Sequence, residues 1–238
     1  MCGISGELRF DGTPARPDVV GRMAERLASR GPDGAGRWSS GPVALGHRRL
    51  AVIDLSPRGA QPMVDPELGL VVVFNGCIYN HRELRQELQA AGYRFFSTSD
   101  TEVILKAYHR WGDAFVDRLV GMFDFCIVER DSGRAVLVRD RLGIKPLYLA
   151  GDSRSLRFAS TLPALVSAGD VDCGIDPVAL HHYLTFHAVV PAPLTILKGV
   201  TKLPPATMLV VEADGSRREH RYWQPAHDRD TEAAASEP

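Results

Sequence analysis

A cysteine stands second in the chain, directly behind Met1. Removal of Met1, expected because Cys2 is small, leaves a thiol and a free α-amino group on one residue. An α-amino group titrates near ~7.7–8.0 and a thiol near ~8.5, so the amine can take the thiol proton near neutral pH and no histidine is required. A Met-Cys start also arises by chance, and the dipeptide alone is a weak signal. Three further positions carry usable chemistry. Arg49 follows His47 and Arg48 at the end of a strand-like run, where a guanidinium can hold a carboxylate through two parallel hydrogen bonds or simply belong to a solvated basic run. Asn75 and Gly76 combine a side-chain amide with a backbone N–H, which can serve an oxyanion at ~2.7–4 kcal/mol per donor. They also read as an Asn-Gly turn, and a permissive glycine allows both. Asp100, between Ser99 and Thr101-Glu102, reads as the cap of a helix that begins near 101.

The elements that must position these residues follow from periodicity. Residues 4–10 suggest a strand, then Val19, Val20, Met23 and Leu27 recur at helical spacing before the glycine-rich loop SRGPDGAG at 29–36. That loop has the composition of a mobile lid or of a plain surface loop. The β-branched runs at 43–54 and 68–74 predict strands, the second ending at Asn75-Gly76. Helices are expected over 81–91 and 101–111, and short strands over 122–129, 134–139, 146–150 and 155–160. Short helices at 161–168 and 177–185 and a hairpin around Asp214-Gly215 complete the pattern. Residues 224–238 read as a linker or disordered tail, because they lack periodic apolar positions. Strand-rich stretches flanked by amphipathic helices predict a layered α+β domain over 1–223, with both sheets buried between helices.

Composition narrows the function class. The 238 residues are 45% hydrophobic and 24% charged, which is ordinary globular usage. With 28 Lys and Arg against 29 Asp and Glu, the net charge of -1 supplies no pull toward nucleic acid or anionic membrane. No apolar run nears the ~18 residues of a membrane span, and no signal peptide is recognisable, so a cytoplasmic location is expected. Cys2, Cys77, Cys126 and Cys173 are widely spaced, which fits neither a metal site nor a disulfide framework.

The motifs MCGISG (1–6), RGPDG (30–34), GHRRLAVIDL (46–55), QPM (61–63), NGCIYN (75–80), SDTEVIL (99–105), GMFDF (121–125) and RDRLGIKPLY (139–148) occur in an order that resembles class II glutamine amidotransferases. The likeness runs over nearly the whole chain and is nearest to the N-terminal domain of asparagine synthetase-type enzymes. The segment 180–193 with KLPPAT at 202–207 looks like the join toward a synthetase half, and is also similar to the N-acetylglutaminylglutamine amidotransferase branch. The resemblance implies an N-terminal-nucleophile hydrolase fold, a four-layer αββα sandwich. It implies that Cys2 attacks glutamine, with Asn75 and Gly76 at the oxyanion. It also implies that Arg49 and Leu50 bind the substrate together with Asn75 and Gly76, and that Asp100 receives the substrate ammonium. Glutamine and a C-terminal synthetase domain are the expected partners, and a homodimer is compatible with the sequence.

One departure stands out. The asparagine synthetase pattern usually has glutamate after Asn-Gly, where this chain has Cys77. Donor recognition then rests on Asp100 and backbone carbonyls, or the donor differs. Cys77 reads as a passive substitution, with a redox pairing to Cys2 as the alternative. The chain contains neither GxxxxGK[ST] nor an SGGxDS-type nucleotide loop, so no cofactor is expected here, and ATP and Mg are expected only in a synthetase domain. The leading expectation is a glutaminase that supplies ammonia. An amidase acting on a modified glutamine, and a non-catalytic docking domain, are the alternatives.

Overall fold

Continuous buried runs such as Leu70–Phe74 and Ala135–Val138 bury both faces of a strand and require material on each side of a sheet, and the molecule supplies it in layers. The computed structural model describes residues 1–225. In chain order the elements are β1 (Gly3–Arg9), α1 (Pro17–Glu25), β2 (Gly34–Ser40), β3 (Val43–Arg49), β4 (Met63–Asp65), β5 (Leu70–Ile78), α2 (His81–Ala90) and α3 (Asp100–Trp111). They continue with α4 (Phe115–Arg118), β6 (Gly121–Glu129), β7 (Ala135–Arg139), β8 (Tyr148–Gly151), β9 (Ser155–Ala159), α5 (Leu162–Val166), α6 (Pro177–Thr185), β10 (Thr201–Lys202), β11 (Thr207–Val211) and β12 (Arg217–Arg221). One antiparallel sheet has the order β10-β8-β9-β1-β3-β2, and the other β12-β11-β7-β6-β5-β4.

The two sheets face each other across Ile4, Leu8, Leu45 and Phe158 on one side and Val71, Val73, Cys126, Val128 and Leu137 on the other. The outer face of the first sheet is covered by α1 through Val19 and Met23, by Leu27 in the turn that follows it, and by α5 through Ala164 and Leu165. The outer face of the second packs Val72, Phe74, Phe123, Phe125 and Ile127 on Leu84, Leu88, Val103, Ile104 and Phe115 of α2, α3 and α4. This is the expected αββα sandwich. No helix among the described residues is long and apolar enough to cross a membrane.

Most element expectations agree with the structure to within a few residues, but the 29–36 loop is shorter than expected. Its last glycines belong to β2, where Gly34 pairs with Arg49 and Gly36 with His47. A side chain at Gly36 would meet the Gln61 carbonyl at 1.9 Å, so this glycine serves close packing rather than a turn. The tail expected over 224–238 lies, from residue 226 onward, outside the described residues.

The inner row of the second sheet changes character along its length. Val71, Val128 and Ala135 are cross-strand neighbours, as are Val73, Cys126 and Leu137, and the next step in the same register is Asn75, Asp124 and Arg139. Strand alternation keeps all three on the face toward the first sheet. A polar rung thus ends the apolar ladder at the edge where Cys2 emerges from β1.

Candidate active site

Cys2 precedes β1, and its phase matches Ile4, so its side chain lies at the same inter-sheet edge. The thiol meets the strand end of β3, where the Leu50 N–H donates to Sγ at 3.3 Å and Sγ faces the Leu50 carbonyl at 3.5 Å. Arg30 donates from Nε to the Cys2 carbonyl at 3.0 Å, which ties the RGPDG turn to the chain end. Burial pushes the Cys2 thiol above its ordinary pKa. The Leu50 N–H, the terminal ammonium and Arg49 offset this in part, and Asp100 adds to it. The thiol is therefore neutral at rest, and a nucleophilic role requires a base to accept its proton.

Beside Cys2 opens a cavity of about 240 Å³ whose wall includes Arg49, Leu50, Asn75, Gly76, Cys77, Asp100 and Lys145. All the expected site residues converge on it. The HRRL run is not a solvated basic stretch, because each side chain has its own partner. His47 is fully buried and contacts the Phe74 carbonyl through Nε2 at 3.2 Å, which bridges the two sheets. Burial drives its pKa down to about 4, so the ring is neutral and donates this bond. Arg48 reaches the Ala24 carbonyl of α1 at 3.2 Å. Arg49 donates to the carbonyl oxygens of Ser56, at 3.0 Å, and Asp54. A guanidinium has five N–H donors, so these two bonds fix its plane and leave three for a ligand carboxylate.

Asn75 and Gly76 do not form a turn. Both lie inside β5, which runs on to Ile78, with Asn75 opposite Asp124 and Gly76 opposite Phe123. A side chain at Gly76 would meet the Met122 carbonyl at 2.2 Å, so the strand pairing itself requires glycine there. Asp100 is not the helix cap either. Ser99 takes that position and accepts from the Thr101 N–H at 3.2 Å, which frees the Asp100 carboxylate to accept from the Ile78 N–H at 3.0 Å across the cavity floor. Burial raises the Asp100 pKa, with the Ile78 N–H and His81 opposing it. A cationic ligand group beside it would offset that burial.

Cys77 is half-buried on the same wall, and its thiol is pushed up by burial and by Asp100 and lowered by Lys145. Cys126 lies buried between the sheets and Cys173 is exposed. Lys145, to which the RDRLGIKPLY motif gave no role, also lines the cavity. Only 3% of it is exposed, it forms no ion pair among the described residues, and its Nζ approaches Met1 Sδ at 3.0 Å. Also unforeseen was the group behind Asn75, formed by the buried Asp124 and Ser160 with the charge of the partly buried Arg30. No spacing rule marks these three, because they come from three separate parts of the chain.

A family model described as a glutamine amidotransferase domain matches residues 1–223. Asparagine synthetase [glutamine-hydrolyzing] 3 of Bacillus subtilis is 34% identical over 98% of this chain and 38% of its own length. Asparagine synthetase [glutamine-hydrolyzing] 1 of the same organism is 36% identical over 94% of this chain and 35% of its own. Amidase chry2 of Gibberella zeae is 32% identical over 94% and 34%. The chain thus spans little more than a third of the length of these relatives. Among solved structures, the glutamine phosphoribosylpyrophosphate amidotransferase from B. subtilis superposes with a TM-score of 0.69 at 20% identity, over 94% of this chain and 50% of that one. That likeness concerns the fold and agrees with the αββα layers. With motif order, layered fold and family match in accord, this chain belongs to the glutamine amidotransferase domain family.

Proposed function

We propose that the chain hydrolyses the side-chain amide of glutamine through Cys2 and supplies the ammonia to an acceptor activated elsewhere. The observation that carries this is the placement of the Cys2 thiol at the mouth of a small cavity whose walls include the Arg49 guanidinium, the Asp100 carboxylate and the Asn75 side-chain amide. Removal of Met1 turns the Cys2 nitrogen into an amine beside its own thiol. The amine takes the thiol proton, and the thiolate attacks the side-chain carbonyl carbon of glutamine. The resulting oxyanion falls to the Asn75 amide and the Gly76 N–H. Collapse of this intermediate breaks the C–N bond, the α-ammonium returns its proton to the leaving nitrogen as ammonia departs, and water then hydrolyses the glutamyl thioester. Arg49 holds the α-carboxylate and Asp100 the α-ammonium.

The acceptor and its activation belong to the part of the protein that the longer relatives carry beyond the matched region. ATP and Mg are assigned to that part. The test is an ammonia-release assay on chain shown by intact mass to have lost Met1. Wild type is expected to turn over glutamine and Cys2→Ala to lose all turnover with an unchanged circular dichroism spectrum. Turnover by Cys2→Ala, or by chain that retains Met1 on every molecule, would remove the nucleophile assignment. Cys77, which leaves Asp100 as the only carboxylate side chain among the residues assigned to the substrate, favours a second reading in which the donor is a modified glutamine without a free ammonium. A higher kcat/KM for N-acylated glutamine than for glutamine would establish that reading.

A further inference from the structure

The Asn75 amide is 1% exposed, and its Nδ2 donates to Asp124 Oδ1 at 2.5 Å, while its own Oδ1 is buried without a partner. Asp124 is fully buried one strand away and does not line the cavity. Its other oxygen faces the Ser160 hydroxyl at 3.4 Å, and that hydroxyl accepts from the Ile4 N–H at 3.0 Å, only two residues from Cys2. Arg30, which holds the Cys2 carbonyl, and Arg139, the next residue in the rung, supply the positive charge around it. A buried carboxylate at the end of an apolar ladder is costly, and in this place it touches the Asn75 side-chain amide on the cavity wall.

We propose that Asp124 is a positioning residue: its acceptor oxygen fixes the rotation of the Asn75 amide, so that the second N–H of Nδ2 is presented to the oxyanion. This rests on the assignment of Asn75 as an oxyanion donor made above. An amide free to rotate by half a turn would present Oδ1 instead, which repels a developing negative charge. Asp124 removes that alternative, because an ionised carboxylate accepts from Nδ2 and cannot donate to Oδ1. Through Ser160 and Ile4 the same carboxylate also keeps the nucleophile's strand in register with the donor.

The test is a double-mutant cycle in the Met1-processed chain, with glutamine as substrate at pH 8. Asp124→Leu, which removes the acceptor, is expected to lower kcat by about 10- to 100-fold with KM changed less than about threefold, short of the ~10²- to 10³-fold typical of losing an oxyanion donor outright. Asp124→Asn keeps an acceptor oxygen but adds N–H groups that can hold the Asn75 amide in its flipped orientation, so it should recover only part of that loss. In the cycle, Asn75→Ala with Asp124→Leu should be no slower than Asn75→Ala alone. Multiplied losses, or a wild-type kcat in Asp124→Leu beside a slow Asn75→Ala, would overturn the positioning role and leave the oxyanion assignment standing. A wild-type kcat in Asn75→Ala would instead overturn that assignment and this proposal with it. If circular dichroism shows that Asp124→Leu does not fold, Asp124→Ala reads the same coupling.

Discussion

Cys77 is the residue at which this chain departs from the pattern it otherwise follows, and the structure makes the consequence concrete. The side chain shares a wall with Asp100, whose charge it senses, and with the Lys145 ammonium. A glutamate there would put a second carboxylate beside the position given to the substrate ammonium, a charge-assisted contact worth ~1.5–3 kcal/mol before desolvation. Cys77→Glu is therefore expected to lower the KM for glutamine several-fold with kcat within about twofold, because the ammonium is remote from the scissile amide. Steady-state kinetics with glutamine and with an N-acylated donor read this directly. Weaker glutamine binding would mean that the substrate ammonium does not lie beside position 77, and would favour the modified-donor reading.

At the scale of elements, the site depends on how closely two strands run. β5 and β6 are paired without interruption from Leu70 and Glu129 to Ile78 and Gly121, and this pairing holds Asn75, Gly76 and Cys77 along one cavity wall. Gly76 is the closest point. An added Cβ would meet the Met122 carbonyl at 2.2 Å and Phe123 Cα at 2.8 Å, both backbone atoms that cannot rotate away. Gly76→Ala should therefore separate the strands at this cavity wall and cost more than the ~1–3 kcal/mol of ordinary overpacking. The expected result is at least a 100-fold loss of ammonia release together with a Tm lower by several degrees. A variant with wild-type Tm and activity would show that this wall is more pliable than the pairing implies.

For the molecule as a whole, burial of Asp124 between the sheets links folding to pH. Its pKa is raised from 3.8 to about 7 by burial, against the opposing Asn75, Arg30, Ser160 and Arg139. Below about pH 4 the group is protonated whether folded or unfolded. Between about 4 and 7 only the folded chain keeps the proton, so folding takes up a proton and stability falls as pH rises across this window. Above 7 the penalty is complete. Asp124→Asn lacks it, so its Tm relative to wild type should be higher at pH 8 than at pH 5, at roughly 2–4 °C per kcal/mol for a chain of this size. Thermal melts at the two pH values check the sign. An unchanged difference between pH 5 and pH 8 would mean that the carboxylate is already ionised in the folded protein at pH 5.

What the residues alone determined was local and ordered. Period-two and 3.6-residue patterns placed the principal strands and helices, since burial on one or two faces leaves a mark in neighbouring positions. The motif order carried the family, the αββα layers and the set Cys2, Arg49, Leu50, Asn75, Gly76 and Asp100. The tertiary structure decided where each of these sits and what it contacts. Ser99 rather than Asp100 caps α3, because the carboxylate finds the Ile78 N–H in another element. Asn75-Gly76 is strand rather than turn, because β6 continues alongside it. Two short strands, β4 and β10, have too few residues for a periodicity to register. Asp124, Ser160 and Arg30 were illegible for a different reason. Their meaning lies in contacts 36, 49 and 28 residues apart in sequence, and strand pairing over such separations is set by which faces exclude water together, a property of the assembled sheets that no single segment contains.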